Sequence, residues 1–196
     1  MTRYLKTALI LAAICAVSAV ILAALNMVTK PAIDAYEEGK TTSALKAVSN
    51  GMEIGEYAEI NDGYITYRYE LTPPNATANT GANTAVTGYI LGLKTNGYGG
   101  EMVLVASFDT DGVVMNAVLV SDDETPGVGK KAEADGYMDK FIGTGSTDNP
   151  VPTTKSMLSE VDSAAVSGAT MTFTGITKAL NAGSAYVRSL AAGGQK

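Results

Sequence analysis

From Thr7 to Val28 the chain runs for 22 residues without a charge, and as a helix rising about 1.5 Å per residue this covers roughly 33 Å, the thickness of a hydrocarbon core. The pattern predicts a membrane-spanning helix over 7–28, with residues 1–6 before it. Pro31 then ends the span, and Ala32 to Ser49, with Ile33, Tyr36, Ala44, Leu45 and Val48 as apolar marks, predicts a second helix within a membrane-proximal linker, 29–50. Glu37-Glu38-Gly39-Lys40 is a candidate interruption, and Asn50-Gly51 a closing turn.

Alternation in Tyr64-Ile65-Thr66-Tyr67-Arg68-Tyr69-Glu70-Leu71 predicts a strand after an Asn61-Asp62-Gly63 turn. Its tyrosines, with Tyr57, suit a half-buried strand face; an aromatic platform is the alternative. Thr72 to Ala85, rich in Pro, Asn, Thr and Gly, reads as a flexible surface loop, and its Asn75-Ala76-Thr77 matches a glycosylation acceptor too short to carry weight. Three strands follow, Val86–Lys94, Glu101–Phe108 and Val113–Ser121, the last two joined through Asp109-Thr110-Asp111-Gly112 as a hairpin. Tyr137, Met138, Phe141 and Ile142 suggest a short helix in 132–145. Finally Phe173, Ile176, Ala179, Leu180, Val187 and Leu190 recur at helical spacing. The expectation is an α+β domain over 51–190, a mainly antiparallel sheet with flanking helices, and a disordered tail at 191–196.

Arg3 and Lys6 precede the apolar run, so the positive-inside tendency puts the N-terminus in the cytoplasm of a bacterial cell and the domain outside the inner membrane, although Lys30 weakens the asymmetry. A cleaved signal peptide would have a shorter apolar region and a small-residue site, whereas here the run reaches Val28 and is followed by Thr29-Lys30-Pro31. Ile14 before Cys15 argues against a lipoprotein signal.

Composition narrows the chemistry. The 196 residues contain 14 basic and 20 acidic side chains. Beyond residue 30 the balance is 11 basic against 20 acidic, a poor surface for nucleic acid. With no histidine and a single cysteine, triad catalysis, an internal disulfide and a cysteine-held iron–sulfur or zinc centre are excluded. No catalytic residue or metal ligand is assigned, and any redox chemistry would need an organic cofactor.

The stretch Asp162-Ser163-Ala164-Ala165-Val166-Ser167-Gly168-Ala169-Thr170-Met171-Thr172 ends where the last helical pattern begins. Its Ser167 to Thr170 part therefore falls at a helix N-terminus, where backbone N–H groups and partial positive charge favour an anion, above all a phosphate. Ser and Thr are also ordinary N-cap residues, and a cap alone would account for them.

That string resembles the flavinylation motif of the FMN-binding domain found in the G subunit of Rnf-type ferredoxin:NAD oxidoreductases and the C subunit of Na⁺-translocating NADH:quinone reductases. Gly97-Tyr98-Gly99-Gly100-Glu101 and Glu124-Thr125-Pro126-Gly127-Val128-Gly129-Lys130-Lys131 resemble two further elements of that family, in the same order. Asp122-Asp123 stands where many relatives have a histidine, and Val128 where leucine is common.

The resemblance implies FMN held covalently through its phosphate on Thr170 after action of a flavin transferase, with Asp162 opening the motif. It places Ser167, Gly168, Ala169 and Thr172 around the phosphate, and the backbone of Thr125, Pro126, Gly127 and Val128 with Gly97, Gly99 and Gly100 as candidate ring contacts. Glu124 is either a cofactor contact or a helix or turn cap, and Lys130 and Lys131 read as solvated charge. The implied protein is an electron-transfer subunit, inactive alone, of a redox-driven ion translocase whose other membrane and cytoplasmic subunits are its partners. The shortness of the chain favours the Rnf G type over the quinone-reductase C type; a membrane-anchored FMN-binding sensor or assembly module is the alternative.

Overall fold

The computed structural model describes residues 2–74, 86–122, 124 and 129–193. The loop expected at 75–85, Asp123, Thr125-Pro126-Gly127-Val128 and residues 194–196 lie outside them. The chain divides into two units, residues 1–40 and 41–196.

Residues 4–33 of α1 (Thr2–Val48) form a stretch of 30 residues long and apolar enough to cross a membrane, with its side chains exposed. The two helices expected on either side of Pro31 are one. Pro31 lies inside α1, and helix continues through residues 37–40. A proline within a helix removes one backbone donor, and the carbonyl four residues earlier loses its partner. Just before it, the Thr29 hydroxyl donates to the Leu25 carbonyl at 2.9 Å, a local bond that suits helix geometry.

The second unit is built on a five-stranded antiparallel meander in the order β1-β2-β3-β4-β5: Glu53–Asp62, Ile65–Thr72, Gly88–Asn96, Glu101–Asp109 and Val114–Asp122. The last three match the expected strands to within two residues. β1 had no clean alternation to announce it, because most of its side chains are exposed on both faces. It turns into β2 through Asn61 and Gly63, both at positive φ. On β2 the tyrosine row is half-buried, and Tyr57, Tyr67 and Tyr69 pack on one another with ring centroids 5.2 to 6.1 Å apart. Between β4 and β5 the Asp109 carboxylate accepts the N–H groups of Asp111 and Val113, which fixes the hairpin.

Alternation on the central strands sends Leu91, Leu93, Leu104, Ala106 and Phe108 into one cluster and Ile90 and Val105 into another. The first is covered by Phe173, Ile176, Leu180 and Val187 of the long helix α3 (Thr170–Gly193), and the second by Ala44 and Val48 from the end of α1. The start of α3 is fixed against the end of β3: the Thr95 hydroxyl donates to the Gly175 carbonyl at 3.1 Å, and a Cβ on Gly175 would stand 2.5 Å from the Asn96 carbonyl oxygen.

The short helix expected in 132–145 is instead two 3₁₀ turns, Gly129–Glu133 and Tyr137–Phe141. Gly136 at φ 74 and Gly143 at φ 79 break an α-helical path on either side of the second turn. Tyr137, Met138 and Phe141 are nonetheless buried, and Phe141 stacks on Phe173 at 5.8 Å.

Candidate functional site

Two helices meet at the Ser-Gly-Ala-Thr segment. The first, α2 (Glu160–Val166), is capped by Ser159, whose Oγ accepts the Asp162 N–H at 3.1 Å and donates to the Asp162 carboxylate at 2.6 Å. Asp162 thus closes a capping arrangement at a helix start, where negative charge is favoured. Ser167 leaves the helix with extended backbone, Gly168 turns at φ 87, and α3 begins at Thr170. A side chain at Gly168 would force a left-handed conformation that costs L-residues about 1–2 kcal/mol. Ala169 is buried and anchors the turn: its N–H donates to Val166 and its carbonyl accepts from Phe173. Thr170 is exposed. Ahead of the Phe173 bond, the first-turn N–H groups of α3 have no intrahelical carbonyl to reach, as at any helix start.

Thr170 shares a cavity of about 210 Å³ with Tyr98, Gly168, Ala169, Met171 and Thr172. Ser167 faces elsewhere, lining a space of about 510 Å³ with Lys155, Leu158, Glu160 and Ser163 on the α2 side. The backbone of Ser167 is held from a third direction: Lys131 in the first 3₁₀ turn donates its Nζ to the Ser167 carbonyl at 2.7 Å. That cation lies 3.6 Å from where a Cβ of Gly168 would be. Sequence reasoning read Lys131 as solvated charge; only its folded-back position joins it to the turn. Lys130 does pair at the surface, with Glu133 at 2.7 Å.

The β3–β4 joint, 97–100, is closed by the Gly97 N–H donating to the Gly100 carbonyl. Against it lies the buried carboxylate of Glu124, 4% exposed. Oε1 accepts the Tyr98 N–H at 2.7 Å and the Thr172 hydroxyl at 3.1 Å, while Oε2 accepts the Gly99 N–H at 3.2 Å. Of the two roles open to Glu124 in the sequence, these contacts describe the turn cap, extended to bind a helix as well. They also explain Gly97: its Cβ would stand 1.6 Å from Oε1, so that position is filled by carboxylate. Gly99 is exposed and Gly100 half-buried.

Thr172 is 1% exposed and gives its hydroxyl proton to Glu124. Beneath Glu124, its own N–H donates to Asp122 at 2.9 Å. Burial pushes the Asp122 carboxyl above the usual carboxylate range, nearby Glu133 adds to this, and the Glu124 N–H opposes it. The structure therefore joins Tyr98, Gly99, Glu124 and Thr172 into one hydrogen-bonded unit beside Thr170, with Gly97 packed against the carboxylate. Tyr98, overlooked among the candidate site residues although it lies inside the Gly-Tyr-Gly-Gly stretch, carries the unit's exposed ring.

Residues 97–184, which include this whole unit and Thr170, match the FMN-binding domain family. This segment resembles an FMN-binding domain. Of the curated relatives, the G subunit of the Na⁺-translocating ferredoxin:NAD⁺ oxidoreductase complex of Acetobacterium woodii is 32% identical over 104 residues, covering 51% of this chain and 49% of that protein. The G subunit of the proton-translocating ferredoxin:NAD⁺ oxidoreductase complex of Clostridium ljungdahlii is 26% identical over 164 residues, covering 84% of this chain and 80% of that one. The alignment thus spans about half the length of the first relative. The matched segment presents an exposed hydroxyl at a helix start, a lysine ammonium beside the same turn and an adjoining cavity with an aromatic wall, features that suit a phosphate-bearing aromatic cofactor such as FMN.

Proposed function

We infer that this chain is a membrane-anchored electron-transfer subunit of an Rnf-type ferredoxin:NAD oxidoreductase, with FMN joined through its phosphate to Thr170 and the FMN-binding domain outside the cytoplasm. The observation that carries the reading is the position of Thr170. Its hydroxyl is exposed on the first residue of a 24-residue helix, inside the segment that matches the FMN-binding family and on the wall of the cavity shared with Tyr98. Bound FMN would supply one- and two-electron redox chemistry at a protein surface that has no histidine and one cysteine.

The chain's own residues hold and orient. Thr170 is the nucleophile of attachment: Oγ1 bonds to phosphorus of a donor flavin nucleotide and gives up its proton, and the donor's leaving group departs on a flavin transferase. First-turn N–H groups of α3 and the Lys131 ammonium offset the charge left on the diester. Gly168 and Ala169 keep the turn free of bulk, and the Ser167 carbonyl holds the Lys131 ammonium beside it. Thr172 and Glu124 act behind the surface, fixing the glycine joint to α3. Tethering keeps the cofactor from being lost by dilution outside the cell. The span over residues 4–33, with Arg3 and Lys6 near its start, supports an anchor with a cytoplasmic N-terminus. Neighbouring subunits would deliver and accept the electrons, and the alanines of the span offer close helix packing to them.

Made together with a flavin transferase, the protein should fluoresce as a denatured band and gain the mass of one FMN less one water. Thr170→Val should abolish both signals with the fold intact, and Thr170→Ser should keep part of them. Full labelling of Thr170→Val sinks the attachment. For sidedness, protease added to intact spheroplasts should remove the domain, and protection would place it in the cytoplasm.

A further inference from the structure

Tyr98 is an anomaly on the surface of the matched segment. Its side chain is 73% exposed, yet its backbone is one of the best-held in the joint. The Tyr98 N–H is taken by Glu124 at 2.7 Å, the next N–H by the other oxygen of the same carboxylate, and the joint is closed by the Gly97–Gly100 bond. A buried carboxylate thus fixes a loop tip that carries a large aromatic open to solvent, on the kind of rigidly held segment where binding residues concentrate. Here the same carboxylate also holds Thr172, so the base of Tyr98 is fixed relative to the first turn of α3. The ring stands on the wall of the cavity whose other wall is Gly168 to Thr172.

We propose that Tyr98 is the aromatic contact of the flavin ring carried at Thr170, and that Glu124 positions it. The proposal rests on the attachment reading above and adds the ring's resting place. A planar, electron-poor ring tethered by its phosphate at Thr170 has the Tyr98 cavity beside it, and offset stacking on a phenol suits such a ring. Exposure of Tyr98 is then explained, because the cofactor supplies the missing cover. Met171, also exposed on this wall, adds a polarizable flank. A phenol in contact with an isoalloxazine quenches its fluorescence by donating an electron to the excited ring, which provides a readout independent of activity.

The test uses the full chain loaded by a flavin transferase, with loading scored by mass. Native wild type should show a short flavin fluorescence lifetime that lengthens on unfolding. Tyr98→Leu, a surface change that leaves Glu124 its backbone donors, should load fully yet show several-fold brighter native emission and an altered visible circular dichroism. Tyr98→Trp should remain quenched. Tyr98→Phe, which keeps the stacking surface without the phenol, should retain the wild-type dichroism while emission rises. Glu124→Gln should load and show a mixture of short and long lifetimes, as the ring's base loosens. Unchanged lifetime and dichroism in fully loaded Tyr98→Leu overturn the proposal, as does loss of loading with an intact fold, which would assign Tyr98 to the transferase step. If wild type itself gains no flavin mass, the attachment reading fails separately. Free FMN titrated into wild type and Tyr98→Leu then scores the ring contact alone, and equal quenching overturns it.

Discussion

The hydroxyl of Thr172 donates to the buried carboxylate of Glu124 at 3.1 Å, across 48 positions of sequence. Two residues on the same helix end thus have opposite assignments: Thr170 faces out, Thr172 faces in. Glu124→Ala would strand the N–H groups of Tyr98 and Gly99 as well as this hydroxyl, a loss of about 3 kcal/mol or more given the cost of unsatisfied buried donors. Glu124→Gln should cost less, since an amide oxygen replaces Oε1 but its NH₂ then confronts the Gly99 N–H. Urea unfolding of the three proteins should rank them wild type, Gln, Ala; equal midpoints would remove Glu124 from the joint. Thr172→Val should lose about 1.5–3 kcal/mol, the range for a hydrogen bond to a charged group, while still accepting flavin on Thr170.

Gly97 has no room for a methyl group because Glu124 Oε1 lies 1.6 Å from its Cβ position. Gly97→Ala should therefore destabilise by about 1–3 kcal/mol, as overpacking does. In a Glu124→Ala background the same change should cost little. A double-mutant cycle should show coupling of at least about 0.5 kcal/mol, and strict additivity would mean that the two positions do not compete for space.

Gly168 turns at φ 87 between α2 and α3. Gly168→Ala should cost about 1–2 kcal/mol, and Gly168→Asn less, because asparagine tolerates the left-handed region. Flavin loading followed by in-gel fluorescence should fall in the same order as thermal stability, since the turn sets where Thr170 points. Wild-type loading of Gly168→Ala would separate the backbone of the turn from attachment.

Two phenols should titrate late. Burial pushes Tyr67 up to about 12, with Tyr69 and Tyr57 adding to the shift, and burial alone takes Tyr137 to about 12. Both are raised above the ordinary value of 10.0. Their contribution to stability is therefore complete below pH 10 and lost as pH climbs toward about 12. Tyrosinate absorbance should show a late-titrating fraction that shrinks in Tyr67→Phe and disappears in the double variant with Tyr137→Phe, whose alkaline unfolding midpoint should rise. Normal titration of all ten tyrosines would contradict the burial of these two.

Much of the architecture was legible because it rests on local pattern. The alternation of β3 to β5, the Asp-Gly hairpin and the helical period of α3 each follow a face defined by nearby residues and lie within a few positions of their expected bounds, and the apolar run of α1 was plain from its length alone. The Ser-Gly-Ala-Thr segment likewise announced a helix start through its own small residues. Where the pattern was weak or interrupted, local reasoning misread it. β1 is exposed on both faces, residues 129–141 are buried without an α-helix, and Pro31 did not stop a helix that can give up one hydrogen bond.

The amino-acid sequence by itself determined the apolar span, strands β3 to β5 and helix α3, the exclusion of histidine-based and cysteine-cluster chemistry, and the hydroxyl-bearing turn on which the FMN reading stands. Only the tertiary structure decided which way each polar group faces. Glu124, Tyr98 and Thr172 are far apart in the chain, and no spacing rule links them; a buried carboxylate has to collect its donors from whatever segments the sheet and α3 bring to it. That demand turned Thr172 inward, reserved the space beside Gly97, and left the ring of Tyr98 standing uncovered next to Thr170.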